Sequence, residues 1–267
     1  MKTRRIAAAV LGIAMLGSLG AAYLAPRDYA QQFREEPNAA PGHQFLLGTD
    51  DLGRDRFSRV LYGARLSFAL APIAAAISTL LAALIGGLGG YFGGRWRAVA
   101  NGSADLFLSV PWLFLIVTVR ALLPLNTAPV ISVTITFSLL ALLGWAAAAR
   151  VIATAAGGVR DSNFVTVARA CGCSRWRVFR VHVLPNLRPA MWAQFLISMP
   201  TFILAEANLS MLGLGVAEPL PSIGGLLREL ENYSEIPHEP WRLAAAVLLV
   251  MVVSSFQVLL GEDEVMA

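Results

Sequence analysis

The sequence predicts an all-α fold: a polytopic membrane protein with about six transmembrane helices. Three observations point there. Hydrophobic residues make up 57% of the 267 positions and charged residues only 14%, far from the average of soluble domains. The apolar residues gather in blocks of about 20, the length that crosses a hydrocarbon core as helix. The blocks carry Ala, Leu, Gly and Val throughout, so in lipid their backbone groups are satisfied within helices rather than in barrel strands.

The chain opens with Met1-Lys2-Thr3-Arg4-Arg5 and an apolar run from Ile6 to Ala25. That start fits a signal peptide or a retained first helix; its length and the further spans behind it favour a retained anchor. The next blocks are Leu66–Tyr91, Asp105–Leu123, Pro129–Ala149, Pro189–Leu212 and Trp241–Leu260. A cytoplasmic N-terminus places residues 93–104 and 150–188 inside, with Arg95 and Arg97 in the first and seven arginines in the second, as the positive-inside rule requires. The final loop, 213–240, falls outside and carries Glu218, Glu229, Glu231, Glu235 and Glu239 against Arg228. Residues 27–65 also fall outside, and their arginines are offset by Asp28, Glu35, Glu36, Asp50, Asp51 and Asp55.

Other classes are disfavoured by the same residues. The net charge of +4 does not argue for nucleic acid, because the basic residues lie between apolar blocks and not on one basic face. Cys171 and Cys173 are badly spaced for a disulfide, and His43, His182 and His238 are scattered, so no metal site is expected. No Gly-rich phosphate loop of the GxxxxGK[ST] kind occurs, so the chain is not expected to hydrolyse ATP itself. Gly86-Gly87-Leu88-Gly89-Gly90 in the second span suits close helix packing or, alternatively, a hinge.

The segment Asn163–Pro189 is too polar to span and too patterned for a slack linker. Val165, Ala168, Cys171 and Cys173 form an apolar stripe ending at Gly172. A second short helix fits Ser174–Val183, with Ser174 as N-cap, until Leu184-Pro185 breaks it. Such a pair could present a knob to a partner, or lie on lipid headgroups through Arg175, Arg177 and Arg180. The segment resembles the EAA loop of ABC-importer permeases, and that resemblance selects the knob. Ala168, Gly172, Leu184 and Pro185 fit the pattern in spacing; Thr166 stands at the glutamate, Val167 at the first alanine and His182 at the apolar position. His182-Val183-Leu184-Pro185-Asn186 is similar to the ending found in the peptide branch. The implied role is a coupling helix in a groove of an ATPase subunit, with Thr166 offering a capping hydroxyl and Ala168 and Gly172 allowing close docking.

Residues 48–67 resemble the segment before the second span in C-type permeases of dipeptide, oligopeptide and nickel importers. Gly48, Thr49, Asp50, Gly53, Arg54, Asp55, Ser58, Arg59, Gly63, Ala64 and Arg65 carry the match. On an interfacial helix Asp50–Arg54 and Asp55–Arg59 would form i,i+4 pairs of about 0.2–0.5 kcal/mol each. Residues 203–215, ILAEANLSMLGLG, resemble the family's end of the fifth span, with Asn208 for a serine and Met211 for a phenylalanine. Glu206, Asn208, Gly213 and Gly215 are thereby candidates for a pore or gating role, and Glu206 is one in any case, as an ionisable group in an apolar helix. Asp105 and Pro111 keep the family spacing at the third span, while Gly102 replaces the arginine that would pair locally with Asp105.

The resemblance implies a type I ABC-importer transmembrane domain over 63–261, with its coupling loop at 163–186, after an N-terminal tip, first helix and external segment over 1–62. It implies a bacterial inner-membrane permease that binds no cofactor, ATP being bound by two ATPase partners. A second homologous permease, an external substrate-binding protein and membrane lipid complete the expected partners. Dipeptides, longer peptides and chelated nickel remain open as substrate. Leu259-Leu260-Gly261-Glu262-Asp263-Glu264 begins as the family's end does and then stops, so a tail contact with the ATPase is expected to be missing. A passive channel or scaffold would have no use for an ATPase-docking loop, and an intramembrane enzyme would need a charged partner for Glu206.

Overall fold

The computed structural model describes residues 2–122, 128–231 and 237–261. Its helices, in chain order, are α1 (Lys2–Leu19), α2 (Ala21–Leu24), α3 (Arg56–Phe92), α4 (Gly94–Ser109), α5 (Trp112–Ala121), α6 (Pro129–Leu143), α7 (Trp145–Arg160), α8 (Asn163–Ala170), α9 (Arg175–Val178), α10 (Leu184–Asn186), α11 (Arg188–Met211), α12 (Ile223–Arg228) and α13 (Ala244–Gly261). No strand occurs among the described residues; two isolated antiparallel bridges, Gln32 with Arg54 and Thr49 with Asp55, tie the irregular segment before α3. The fold is all-α, as expected.

Four helical stretches are long and apolar enough to cross a membrane: Arg56–Phe92, Pro129–Arg160, Arg188–Met211 and Pro240–Gly261. The other two expected spans are helical in a different form. The first is α1, which begins in the charged Lys2, Arg4 and Arg5 and turns at Gly20 into α2. The third is split, because Pro111 lacks a backbone donor and forces Val110 to extended geometry (φ −91°, ψ 123°), ending α4 at Ser109. α3 starts ten residues before the apolar block, and the fourth span runs on through Gly144 to Arg160 instead of stopping at Ala149. The alanine-rich run from Trp145 favours continued helix. At 37 residues α3 is about 55 Å long, well beyond a hydrocarbon core of about 30 Å. The expected tail residues 262–264 lie outside the described residues.

Two compact units make up the chain. The first comprises Met1–Ala71, Arg120–Phe137 and Pro200–Ala267; the second comprises Pro72–Val119 and Ser138–Met199. In the first, α1 and α12 both pack on α13. In the second, Trp145, Ile152, Val165, Phe179, Val183 and Leu187 are buried in one apolar cluster. Two of its helices approach backbone to backbone: a Cβ on Gly86 would overlap the Ala149 carbonyl, and one on Gly90 the Ala153 carbonyl. The glycines therefore pack α3 on α7, and α3 is unbroken across them.

Candidate functional site

The 163–186 segment is a helix, a turn and a second helical stretch. α8 ends in a Schellman turn: Gly172 N donates to Arg169 O (3.0 Å) and Cys173 N to Ala168 O (3.1 Å), with Gly172 at φ +82°. A glycine is needed there for its backbone, because the left-handed conformation is costly for other residues. A Cβ at Gly172 would meet nothing within 4 Å, so the turn faces open space. Ser174 caps α9 by accepting from Arg177 N at 3.4 Å, as its sequence position suggests.

Two expectations for this segment are corrected. Leu184-Pro185 does not end the second helix: Phe179–Val183 widens into a π-turn and α10 follows at once. A wider turn accommodates a proline that lacks an N–H and crowds the preceding turn. Thr166 is not a cap, since α8 starts three residues earlier and the Thr166 hydroxyl donates back to Ser162 O at 3.3 Å.

The segment is anchored by its own unit. Val165, Val178 and Val183 are fully buried, and Phe179 packs on Tyr91 (5.6 Å between ring centroids) and Phe92 (5.8 Å). Trp176 packs on Phe92 with the rings tilted (4.9 Å between centroids), and the Arg169 guanidinium lies 5.3 Å above the Tyr91 ring. Ala168 is half-buried against this cluster, so its small size serves the chain's own packing. Apolar surface beside this cluster stays open: Phe164 is 47% exposed, Val167 61% and Val181 56%. His182 is half-buried beside Phe164, and its carbonyl accepts from Asn186 Nδ2 at 2.6 Å; Leu184 and Pro185 are half-buried.

A second cluster gathers at the start of α3 in the other unit. Asp50 accepts from Arg54 N (2.8 Å) and Leu52 N (3.0 Å) and pairs with Arg54 Nε (2.7 Å). Arg54 Nη1 and Arg59 Nη2 both reach Glu218, at 2.6 and 2.9 Å. Arg56 bridges Glu229 (2.6 Å) and the Thr49 carbonyl (2.8 Å). The expected Asp50–Arg54 pair thus forms, in a turn rather than on a helix. The Asp55–Arg59 side-chain pair does not, because Asp55 caps α3 by accepting from Ser58 N at 2.9 Å. Thr49, Asp50, Asp55, Ser58 and Arg59 are all buried, where charges persist only if paired. Gly48 and Gly53 take positive φ in the turns around them, where a Cβ would overlap the Ala39 and Phe33 carbonyls. Burial alone would lower the Arg54 guanidinium, but Asp50 and Glu218 outweigh it and hold it above its ordinary range. Burial pushes the Glu229 carboxyl up, against the pull of Arg56. Glu218 comes from the loop after α11 and Glu229 from the end of α12, contributions that no local spacing announces.

Glu206 is fully buried in α11 and accepts from Ser210 Oγ at 2.6 Å. Ser210 Oγ lies 3.4 Å from Ser222 Oγ, which caps α12 by accepting from Gly225 N at 3.0 Å. Glu206 has no charged partner among the described residues and acts as a brace between α11 and α12. Asn208 is exposed on another face, so the two are not brought together. Gly213 ends α11 in the same Schellman geometry as Gly172, and Gly215 lies so close to Ser210 that any Cβ would overlap it. In the other unit, Asp105 does have a partner: Arg150 of α7 donates to it, replacing the local arginine that Gly102 displaces.

These features define a class, a multi-pass helical membrane protein with one buried ionic cluster and one self-anchored, apolar-faced helical knob. Comparison with known proteins gives the family. Residues 78–260 match the binding-protein-dependent transport system inner membrane component, and the chain belongs to that family. It is 31% identical over 203 residues to the dipeptide transport system permease protein DppC of Bacillus subtilis, covering 76% of this chain and 61% of that protein. It is 30% identical over 217 residues to the oligopeptide transport system permease protein OppC of the same organism (81% and 68% covered). It is 34% identical over 227 residues to the di/tripeptide transport system permease protein DppC of Pseudomonas aeruginosa (82% and 72% covered). The chain spans about three-fifths of the length of the first of these and about seven-tenths of the others.

Proposed function

We propose that this chain is a permease subunit forming half of the translocation pore of an ATP-driven importer for peptides or related small substrates. A second permease completes the pore, two ATPase subunits supply the energy, and an external binding protein delivers substrate. The N-terminus and the 163–186 knob lie in the cytoplasm, and the ionic cluster lies outside. Family membership and the named activities of the relatives support the class. The observation that carries coupling is the knob: its inner face is locked into the chain's core while Phe164, Val167 and Val181 leave apolar surface open. Apolar surface of that kind marks a protein or membrane contact, and the resemblance of the segment to the EAA loop favours the protein. ATP-driven closure of the ATPases would pull on it and switch the pore between its two openings.

The test is uptake of labelled di- and tripeptides by proteoliposomes holding the whole complex. Val167→Asp places a charge on the exposed face without touching the core. It should abolish ATP-dependent uptake and co-purification with the ATPases while membrane insertion stays normal. Unchanged uptake in that variant would refute the coupling role.

A further inference from the structure

Within the second unit an open recess of about 680 Å³ lies between α4 and α7. Its volume falls in the ~300–1,000 Å³ range of small-molecule sites. Arg97, Asn101 and Asp105 line it from α4 at intervals of four residues, so one helix face supplies all three. Arg150 and Thr154 line it from α7, and Gly157-Gly158 continue that face without side-chain bulk. From Arg97 to Asp105 the polar stripe runs about 12 Å along the axis.

The charges inside are unevenly satisfied. Arg150 donates to Asp105. Arg160 holds Asp161 through two contacts, Nε to Oδ1 at 2.7 Å and Nη2 to Oδ2 at 3.0 Å. That hydrogen-bonded pairing keeps the exposed Asp161 below the ordinary carboxylate range, with Arg97 adding a weaker, longer-range pull. Arg97 forms no ion pair within 4 Å among the described residues, so three guanidiniums against two carboxylates leave one positive charge on it. The Thr154 hydroxyl donates to Arg150 O and has no proton to offer, whereas the Asn101 amide sits one helical turn from Arg97. Two adjacent donors, one charged, suit a single oxyanion.

We infer that this recess is a station for the C-terminal carboxylate of the transported peptide, held by Arg97 and Asn101 in the cytoplasmic half of the pore. The inference rests on the importer reading above. A phospholipid headgroup offers the same oxyanion chemistry, and the lipid arm of the experiment below separates the two sources. Polar side chains on two facing helices line the recess, as they would a water-filled route.

The experiment uses the purified complete complex without its binding protein and measures equilibrium binding of a labelled tripeptide as free acid and as C-terminal amide. The free acid should bind, the amide at least tenfold more weakly. Arg97→Gln should erase that difference by weakening the free acid about tenfold, and Arg97→Lys should restore most of it. Equal binding of acid and amide, no binding by an uptake-competent complex, or an Arg97→Gln effect that follows phosphatidylglycerol content and not the peptide terminus would each overturn the inference. Failure of the wild-type complex to take up any peptide in proteoliposomes would instead overturn the importer reading.

Discussion

Burial raises the pKa of Glu229, with Asp50 and Asp51 adding to the rise, while Arg56 and Arg59 pull it down, and the upward influences prevail. A carboxyl whose folded pKa lies above its unfolded value contributes stability that is fully present below the unfolded value and is lost as pH rises through the folded one. Acidification from neutral pH toward the ordinary carboxylate range should therefore raise the melting midpoint of the detergent-purified chain through this group. Glu229→Gln should remove that component, and identical pH slopes in variant and wild type would refute it. At this scale the sequence was legible where an interaction is local. Ser174 caps within three residues and Asp50 pairs within four. It was not legible where the partner is distant: Asp105 finds Arg150, 45 residues on, and Arg59 finds Glu218, 159 residues on. Asp55 shows the remaining difficulty, because the same carboxylate could pair at i+4 or cap at i+3, and the position of the helix start decides.

Among the elements, the α3–α7 pair depends on absent side chains. A Cβ at Gly90 would overlap both the Ala153 carbonyl and the Ala156 methyl, and neither can retreat from a packed helix. Gly90→Val should destabilise the chain by about 1–3 kcal/mol or more, as overpacking does. Gly102, with nothing within 4 Å of its would-be Cβ, is the matched control. Gly102→Ala should be neutral or stabilising by up to about 1 kcal/mol from helix propensity. Thermal inactivation of the two variants in one detergent separates them, and similar losses would argue against the packing account. The fifth span is legible from its apolar period, since Arg188–Met211 falls within a residue of the expected Pro189–Leu212, whereas α3 starts ten residues before its apolar block and the fourth span runs eleven residues past its own. The π-turn at Phe179–Val183 was missed because Pro185 signals a stop, and only the surrounding aromatic packing makes a widened turn the better solution.

For the whole molecule, the proposed orientation can be tested on the native chain. Cys171 is exposed at the Gly172 turn and Cys173 half-buried beside it. A membrane-impermeant maleimide should label the chain in inside-out vesicles and not in intact spheroplasts; the opposite pattern would reverse the orientation. One break in the architecture also bears on where water goes. Between α4 and α5 the chain leaves helical geometry at Val110-Pro111, and the Ser109 hydroxyl turns back to the Leu106 carbonyl at 2.9 Å. Hydrocarbon cannot solvate the carbonyls that such a break releases. Ser109, Val110 and Pro111 are all exposed, so where this stretch lies at membrane depth lipid tails are the wrong neighbour for it. That side of the helix pair must be wetted or covered by protein, and the thickness of the surrounding bilayer should matter less to it than to the unbroken spans.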